Sequence, residues 1–142
     1  MESLDQVIFY SLEKSIKSYR QFAQKSINKK GLDITIDQWL VLKTIQNNPD
    51  ISQQQIAINV FKDYASITRI VELLVEKKIL NRDFHADDRR RFNLTITKQG
   101  AAVLKGLAPV IQSNRKRALE GISNKEIETL KRLLNKITEN CK

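Results

Sequence analysis

"SQQQIAINVFKDYASITRIVELLVEKK", Ser52 to Lys78, decides the fold. Ser52 followed by Gln55 predicts a capping box that opens a short helix, with Ile56, Ala57 and Val60 on its inner side. Asp63 then stands where an N-cap belongs. Beyond it Ile67, Ile70, Val71 and Leu74 share one helical face at 100° per residue, Ala65, Arg69, Glu72 and Glu76 point the other way, and Ser66 and Thr68 flank that outer face. Two capped helices joined by a tight turn form the frame of a helix-turn-helix.

Downstream, "ILNRDFH" and "RFNLTIT" place Leu80, Phe84, Phe92, Leu94 and Ile96 at alternate positions around a polar tip, which predicts a β-hairpin. From Thr97 the pattern is helical again, and Pro109, which has no N–H to donate, is expected to kink a long helix near its middle. Ser123 with Glu126 caps a last helix whose stripe is Ile127, Leu130, Leu134, Ile137 and Cys141. Upstream, apolar residues recur every three or four positions from Leu4 to about Asn28 and predict one amphipathic helix, broken at Gly31. Thr35 with Gln38 caps the next, which runs through Trp39, Leu40, Leu42 and Ile45 and stops before Pro49. The expected fold is mostly α with a small β-hairpin wing: a winged helix-turn-helix flanked by helices at both ends.

The chain has 142 residues, with 25 Lys plus Arg against 16 Asp plus Glu and a net charge of +9, which fits one domain and favours polyanionic partners. Cys141 is the only cysteine and His85 the only histidine, so no intramolecular disulfide, no cysteine-built zinc site and no nucleophile–base pair is expected, nor any cofactor. No apolar run approaches the roughly 18 to 20 residues of a membrane span. A cytoplasmic protein that is not an enzyme is the expectation.

The segments "ITIDQWLVLKTI", "ASITRIVELLVEKKIL" and "DDRRRFNLTITKQG" resemble the signatures of the MarR family of bacterial transcriptional regulators. The likeness spans about residues 34 to 100, and its most specific piece is the spacing from Asp88 and Arg90 through Thr97 to Gly100. Two departures stand out. Ile96 replaces the usual Leu before the second-strand Thr, and Lys77, Lys78 and Ile79 make a turn where relatives often carry Gly.

The resemblance implies a homodimer on double-stranded DNA with a pseudo-palindromic operator, the helix after Asp63 in the major groove and the hairpin tip at the minor groove. Residues 34–100 would be the DNA-binding lobe, and residues 1–30 and 101–142 the dimerisation region of a single unit. Glu72 and Glu76 would meet phosphates of like charge, which leaves Ala65, Ser66, Thr68 and Arg69 to reach base edges. Gln54 and Lys62 are the candidate phosphate contacts. At the wing Arg90 matches the family arginine, Asp88 would orient it, and Arg89 and Arg91 would flank it toward phosphates. Many relatives take phenolic or aromatic anions, and Tyr10, Tyr19, Arg20, Phe22 and Trp39 are the residues that would line a cleft for a small aromatic or anionic effector.

Each of these residues has a plainer reading. Thr68 can bond back to a helix carbonyl, Arg69 can pair with Glu72 or Glu76, and aromatic residues at helical spacing can be core. The terminal stripes can close a larger monomer core, and Cys141 can be a small core residue. The expected function is a sequence-specific transcriptional regulator, a repressor released by an effector. Its rival is a winged helix used as a protein-interaction module.

Overall fold

Side-chain caps set where all the α-helices after the first begin. In the computed structural model, which describes residues 1–84, 87 and 92–142, the order is α1 (Ile8–Lys29), α2 (Ile36–Asn47), α3 (Gln53–Asn59), α4 (Tyr64–Glu76), β1 (Leu80–Phe84), β2 (Phe92–Ile96), α5 (Lys98–Ala118) and α6 (Asn124–Asn140). This is a mostly helical winged helix with one antiparallel hairpin. At α2 the Thr35 hydroxyl accepts from the Gln38 N–H at 3.0 Å, and the Gln38 carboxamide accepts from the Thr35 N–H at 3.0 Å. Ser123 and Glu126 exchange the same pair of bonds at α6. Both boxes satisfy orphan amide donors that a helix start would otherwise leave bare.

Three expectations need correction. The single helix from Leu4 is instead a short 3-10 turn, Leu4–Gln6, followed by α1, because Val7 is extended and interrupts the helical backbone. At Ser52 only half of the box forms: its hydroxyl accepts from the Gln55 N–H at 3.1 Å, but the Gln55 carboxamide donates to Asn59 one turn on. The long helix expected through Pro109 forms: α5 runs from Lys98 to Ala118 with Pro109 inside it. Cys141 is exposed at the end of α6 and belongs to no core.

The core lies where the lobe's faces meet. Val41 and Leu42 of α2, Ile56 of α3, Ile67, Val71 and Leu74 of α4, Leu80 of β1 and Leu107 of α5 are almost completely buried in one cluster. Each such side chain contributes about 1.5–3 kcal/mol by leaving water. Helix α1 joins this cluster only near its C-terminal end, through Ile27, and packs along α5.

Pairing of Leu80 with Ile96, Arg82 with Leu94 and Phe84 with Phe92 puts the apolar alternation of both strands on one face. Leu80 and Leu94 bury against the helices. Farther out, Phe84 stacks on Phe92 at 5.6 Å between ring centroids, and the Arg82 guanidinium lies 4.9 Å from the Phe92 centroid.

Two turns adopt left-handed backbone without glycine. After α3, Phe61 has φ 63°, with Lys62 N–H donating to Ala57 and Phe61 N–H to Ile58. After α4, Lys78 has φ 63°, with Ile79 N–H donating to Leu74 and Lys78 N–H to Val75. Both are Schellman closures, which usually use Gly. Lys78 lies in the Lys77–Ile79 turn that the sequence makes without Gly, and it is the residue there that takes the left-handed backbone.

The Thr97–Gly100 spacing has a steric cause. The Thr97 hydroxyl donates to Lys78 O at 2.7 Å and accepts from the Gly100 N–H at 3.0 Å, which ties the start of α5 to the turn after α4. A Cβ on Gly100 would come 2.3 Å from the Ile79 carbonyl oxygen and 2.9 Å from Ile96 Cγ2, so no larger residue fits this junction.

Candidate nucleic-acid interface and adjoining cavity

The N-terminus of α4 is held by Asp63, whose carboxylate accepts from the Ser66 N–H at 2.7 Å. Hydrogen bonding by Ser66 holds the Asp63 carboxyl below the usual aspartate range. With Ile67, Val71 and Leu74 facing the core, rotation of 100° per residue puts Ala65 and Arg69 outward, and both are exposed. Ser66 is half-buried, beside them. Arg69 makes no ion pair among the described residues, so neither Glu72 nor Glu76 restrains it.

Thr68 behaves differently. Its hydroxyl donates to Tyr64 O at 3.1 Å and accepts from the buried Gln53 carboxamide at 3.5 Å, so it links α3 to α4 and turns its polar atom inward. The plainer reading of its hydroxyl is the one the geometry favours. Gln53 Oε1 has no hydrogen-bond partner among the described residues.

Gln54 is exposed on α3. Lys62 is not free: its ammonium lies 3.2 Å from Asp37 Oδ2, while Arg20 pairs with Asp37 Oδ1. Burial pushes the Asp37 carboxyl up, but hydrogen bonds and charge from Arg20 and Lys62 outweigh that and leave it below the usual range. Around the turn Ile58, Phe61 and Tyr64 are exposed, Phe61 almost fully. No pattern of two or 3.6 marks them in the sequence. Asp88, Arg89, Arg90 and Arg91 lie outside the described residues, as does His85; Arg82 is the cation that the described strands place at the hairpin.

Between α1, α2 and α5 lies a cavity of about 210 Å³, lined by Ile16, Tyr19, Arg20, Ala23 and Ile27, by Ile36, Trp39 and Leu40, and by Ile111, Asn114 and Arg115. Of the five aromatic and cationic residues expected at such a cleft, Tyr19, Arg20 and Trp39 come together here. Tyr10 and Phe22 do not. Tyr10 precedes Tyr19 by nine residues, about two and a half turns, which puts it on the opposite side of α1. Phe22 is turned about 100° from Ala23, and it is exposed. Helix α5 supplies what the sequence did not mark. The Arg115 guanidinium lies 5.7 Å from the Trp39 ring centroid, and Asn114 is 3% exposed with its Nδ2 unpartnered among the described residues.

A capped helix packed beside an antiparallel hairpin is the arrangement of a winged helix-turn-helix. Residues 34–92 match the model of the MarR family, and the resemblance read from the sequence is thereby shown. The family is one of transcriptional regulators, and the chain has the fold of a DNA-binding regulator. A probable transcriptional regulator from Pseudomonas aeruginosa is 27% identical, with a TM-score of 0.85 over 95% of this chain and 99% of that one. BpsR of Bordetella bronchiseptica, whose DNA binding is regulated by 6-hydroxynicotinic acid, is 20% identical, with a TM-score of 0.88 over 97% of each chain. MarR of E. coli is 22% identical, with a TM-score of 0.76 over 92% of this chain and 96% of that one. The last two likenesses concern the fold alone. No helix among the described residues is long and apolar enough to cross a membrane.

Proposed function

We propose that the chain is a homodimeric repressor that binds a pseudo-palindromic operator and is released by a small aromatic anion. The observation that carries the reading is the outer face of α4: Arg69 and Ala65 exposed, Ser66 beside them, on a helix fixed by Asp63 and by its buried opposite face. Arg69 suits a guanine edge, Ser66 either purine, and Ala65 a thymine methyl. Thr68 contributes position through its hydroxyl, which bonds Tyr64 and Gln53. Gln54 and Lys62 take phosphates, and Asp88 with Arg89, Arg90 and Arg91 forms the wing contact at the minor groove.

Dimerisation is supported by what the terminal helices leave uncovered. Helix α6 buries none of its residues, and Leu130, Leu133 and Leu134 are exposed, together with Leu4, Ile8, Leu119 and Ile122. Helices α1 and α5 give Ile27, Leu104 and Leu107 to the core of their own chain, whereas the α6 stripe stays uncovered. A two-fold contact through residues 1–30 and 101–142 would bury the exposed residues and set two α4 helices about 34 Å apart, one DNA turn. For the effector, the cavity offers apolar walls, the cations Arg20 and Arg115 and the buried donor Asn114 Nδ2. BpsR, with its 6-hydroxynicotinic acid, is a precedent in a protein of the same fold.

One observation favours the rival, a protein-interaction module: Ile58, Phe61 and Tyr64 expose apolar surface at the helix-turn-helix. Selection from a random duplex pool, followed by titration against salt, separates the two. A regulator enriches an inverted repeat and loses affinity steeply as salt rises, whereas failure to enrich any sequence sinks the proposal. Arg69→Ala then costs about 1–3 kcal/mol and relaxes discrimination at one symmetric pair of positions. Uniform loss over all sequences would recast Arg69 as a phosphate contact.

A further inference from the structure

The cavity and the helix-turn-helix share one carboxylate. Arg20 lines the cavity from α1, Asp37 stands in the first turn of α2, and Lys62 sits in the turn directly before the cap of α4. Asp37 gives one oxygen to each cation, Oδ1 to Arg20 and Oδ2 to Lys62 at 3.2 Å. All three side chains are about one-third exposed. Water screens the pairs without dissolving them.

We infer that Arg20, Asp37 and Lys62 form a charge relay: a ligand carboxylate in the cavity draws Arg20 from Asp37, and Asp37 then withholds Lys62 from DNA phosphate. This rests on the reading of the chain as a DNA-binding regulator with an anionic effector. With Arg20 in place, Asp37 is already neutralised, and the Lys62 ammonium is available to a phosphate at little cost. Once Arg20 turns to a ligand, Lys62 becomes the sole counter-ion of a half-buried carboxylate. Taking it away would leave that charge unpaired. The coupling is reciprocal by linkage: a phosphate on Lys62 leaves Arg20 as the sole cation on Asp37, so bound DNA lowers the affinity for the anion by the same factor. No shift of helix spacing is needed for this part of the response.

Arg20→Gln reproduces the charge state of Asp37 that a ligand would impose, so the relay is testable with DNA alone. Operator affinity and its salt dependence are measured on the selected duplex for the wild type, Arg20→Gln, Arg20→Lys, Asp37→Asn, Lys62→Gln and the doubles Arg20→Gln/Asp37→Asn and Arg20→Gln/Lys62→Gln, with thermal melting of each. Arg20→Gln is expected to lose about fivefold in affinity, at the low end of ordinary allosteric coupling, with its salt slope reduced by about one per protomer as in Lys62→Gln. Arg20→Lys retains most of the affinity, and Asp37→Asn binds at least as tightly as the wild type. In the Asp37→Asn and Lys62→Gln backgrounds, Arg20→Gln has no further effect. An equal fivefold loss in either background overturns the relay, as does an Arg20→Gln variant that melts like the wild type and binds DNA like it. Should Lys62→Gln bind normally while the wild type binds its operator, the relay alone is wrong; should the wild type select no DNA, the functional reading falls and the relay with it.

Discussion

Helices α4 and α6 are both capped and both amphipathic, yet α4 buries Ile67, Val71 and Leu74 completely while α6 buries none of its residues. The pattern that built the two helices is the same; their partners differ. Helix α4 meets α2, α3 and β1 of its own chain, whereas α6 meets little of it. An apolar stripe states which side of a helix wants cover, and only the surrounding chain decides whether cover comes from within or from a second molecule. Strain divides along the same line. The lobe holds Phe61 and Lys78 in left-handed backbone and packs Gly100 against a carbonyl, while after α1 and α5 the positive φ falls on glycines, Gly31 and Gly121.

The strongest challenge to this contrast is Ile67→Ala, expected to cost about 2–5 kcal/mol in urea unfolding, because a fully buried side chain leaves a cavity that close packing cannot refill. A loss below about 1 kcal/mol would mean that the lobe is as loosely packed as α6. Next comes Gly100→Ala, expected to cost about 3 kcal/mol as a Cβ meets the Ile79 carbonyl. Phe61→Gly should raise stability by about 1 kcal/mol by releasing left-handed strain; no gain would show that exposed Phe61 is held by contacts made within the lobe.

Smaller still on the lobe's own stability, within roughly 0.5 kcal/mol, is the pair Leu130→Lys with Leu134→Lys. Light scattering at micromolar concentration should nevertheless shift from dimer to monomer. Loss of the fold in that variant would make α6 a core helix after all, and an intact dimer would place the interface elsewhere. The smallest effect is expected at Asp63. Its folded-state pKa is lowered, so its contribution is present above the unfolded aspartate value of about 4 and is lost as pH falls through the folded value. Asp63→Asn keeps a good cap and removes this titration, so the two proteins should have matching urea midpoints at neutral pH and diverge only in acid, with the wild type falling further. Parallel midpoints down to pH 2 would show that the cap carries no linked proton.

Legibility followed the range of the interaction. Thr35, Asp63 and Ser123 were readable as caps because a cap acts within three residues of itself, and the hairpin was readable because its alternation is local to each strand. Ser52 shows the limit even there, since Gln55 had two neighbours within reach and chose Asn59. The cavity was half legible. Tyr19, Arg20 and Trp39 could be proposed as chemical types, but Asn114 and Arg115 reach them from α5, across a separation that no periodicity spans. Tyr10 and Phe22 have the right chemistry on the wrong side of α1. The left-handed Phe61 left no sign either, because sequence favours Gly or Asn at such a position and here the closure of α3 imposed it on a phenylalanine.

By itself, then, the sequence determined the succession of the main helices and strands, the apolar face of each, the spacing from Thr97 to Gly100 and the resemblance of the winged segment to the MarR family. Caps, alternation and 3.6-residue periodicity act over a few residues and are written in order along the chain. The tertiary structure decided which stripes found partners, which side chains share the cavity, and that one aspartate on α2 holds both Arg20 and Lys62. Those outcomes depend on where separate helices cross. Packing sets the crossings through the summed shapes of many side chains, and no single stretch of sequence records that sum.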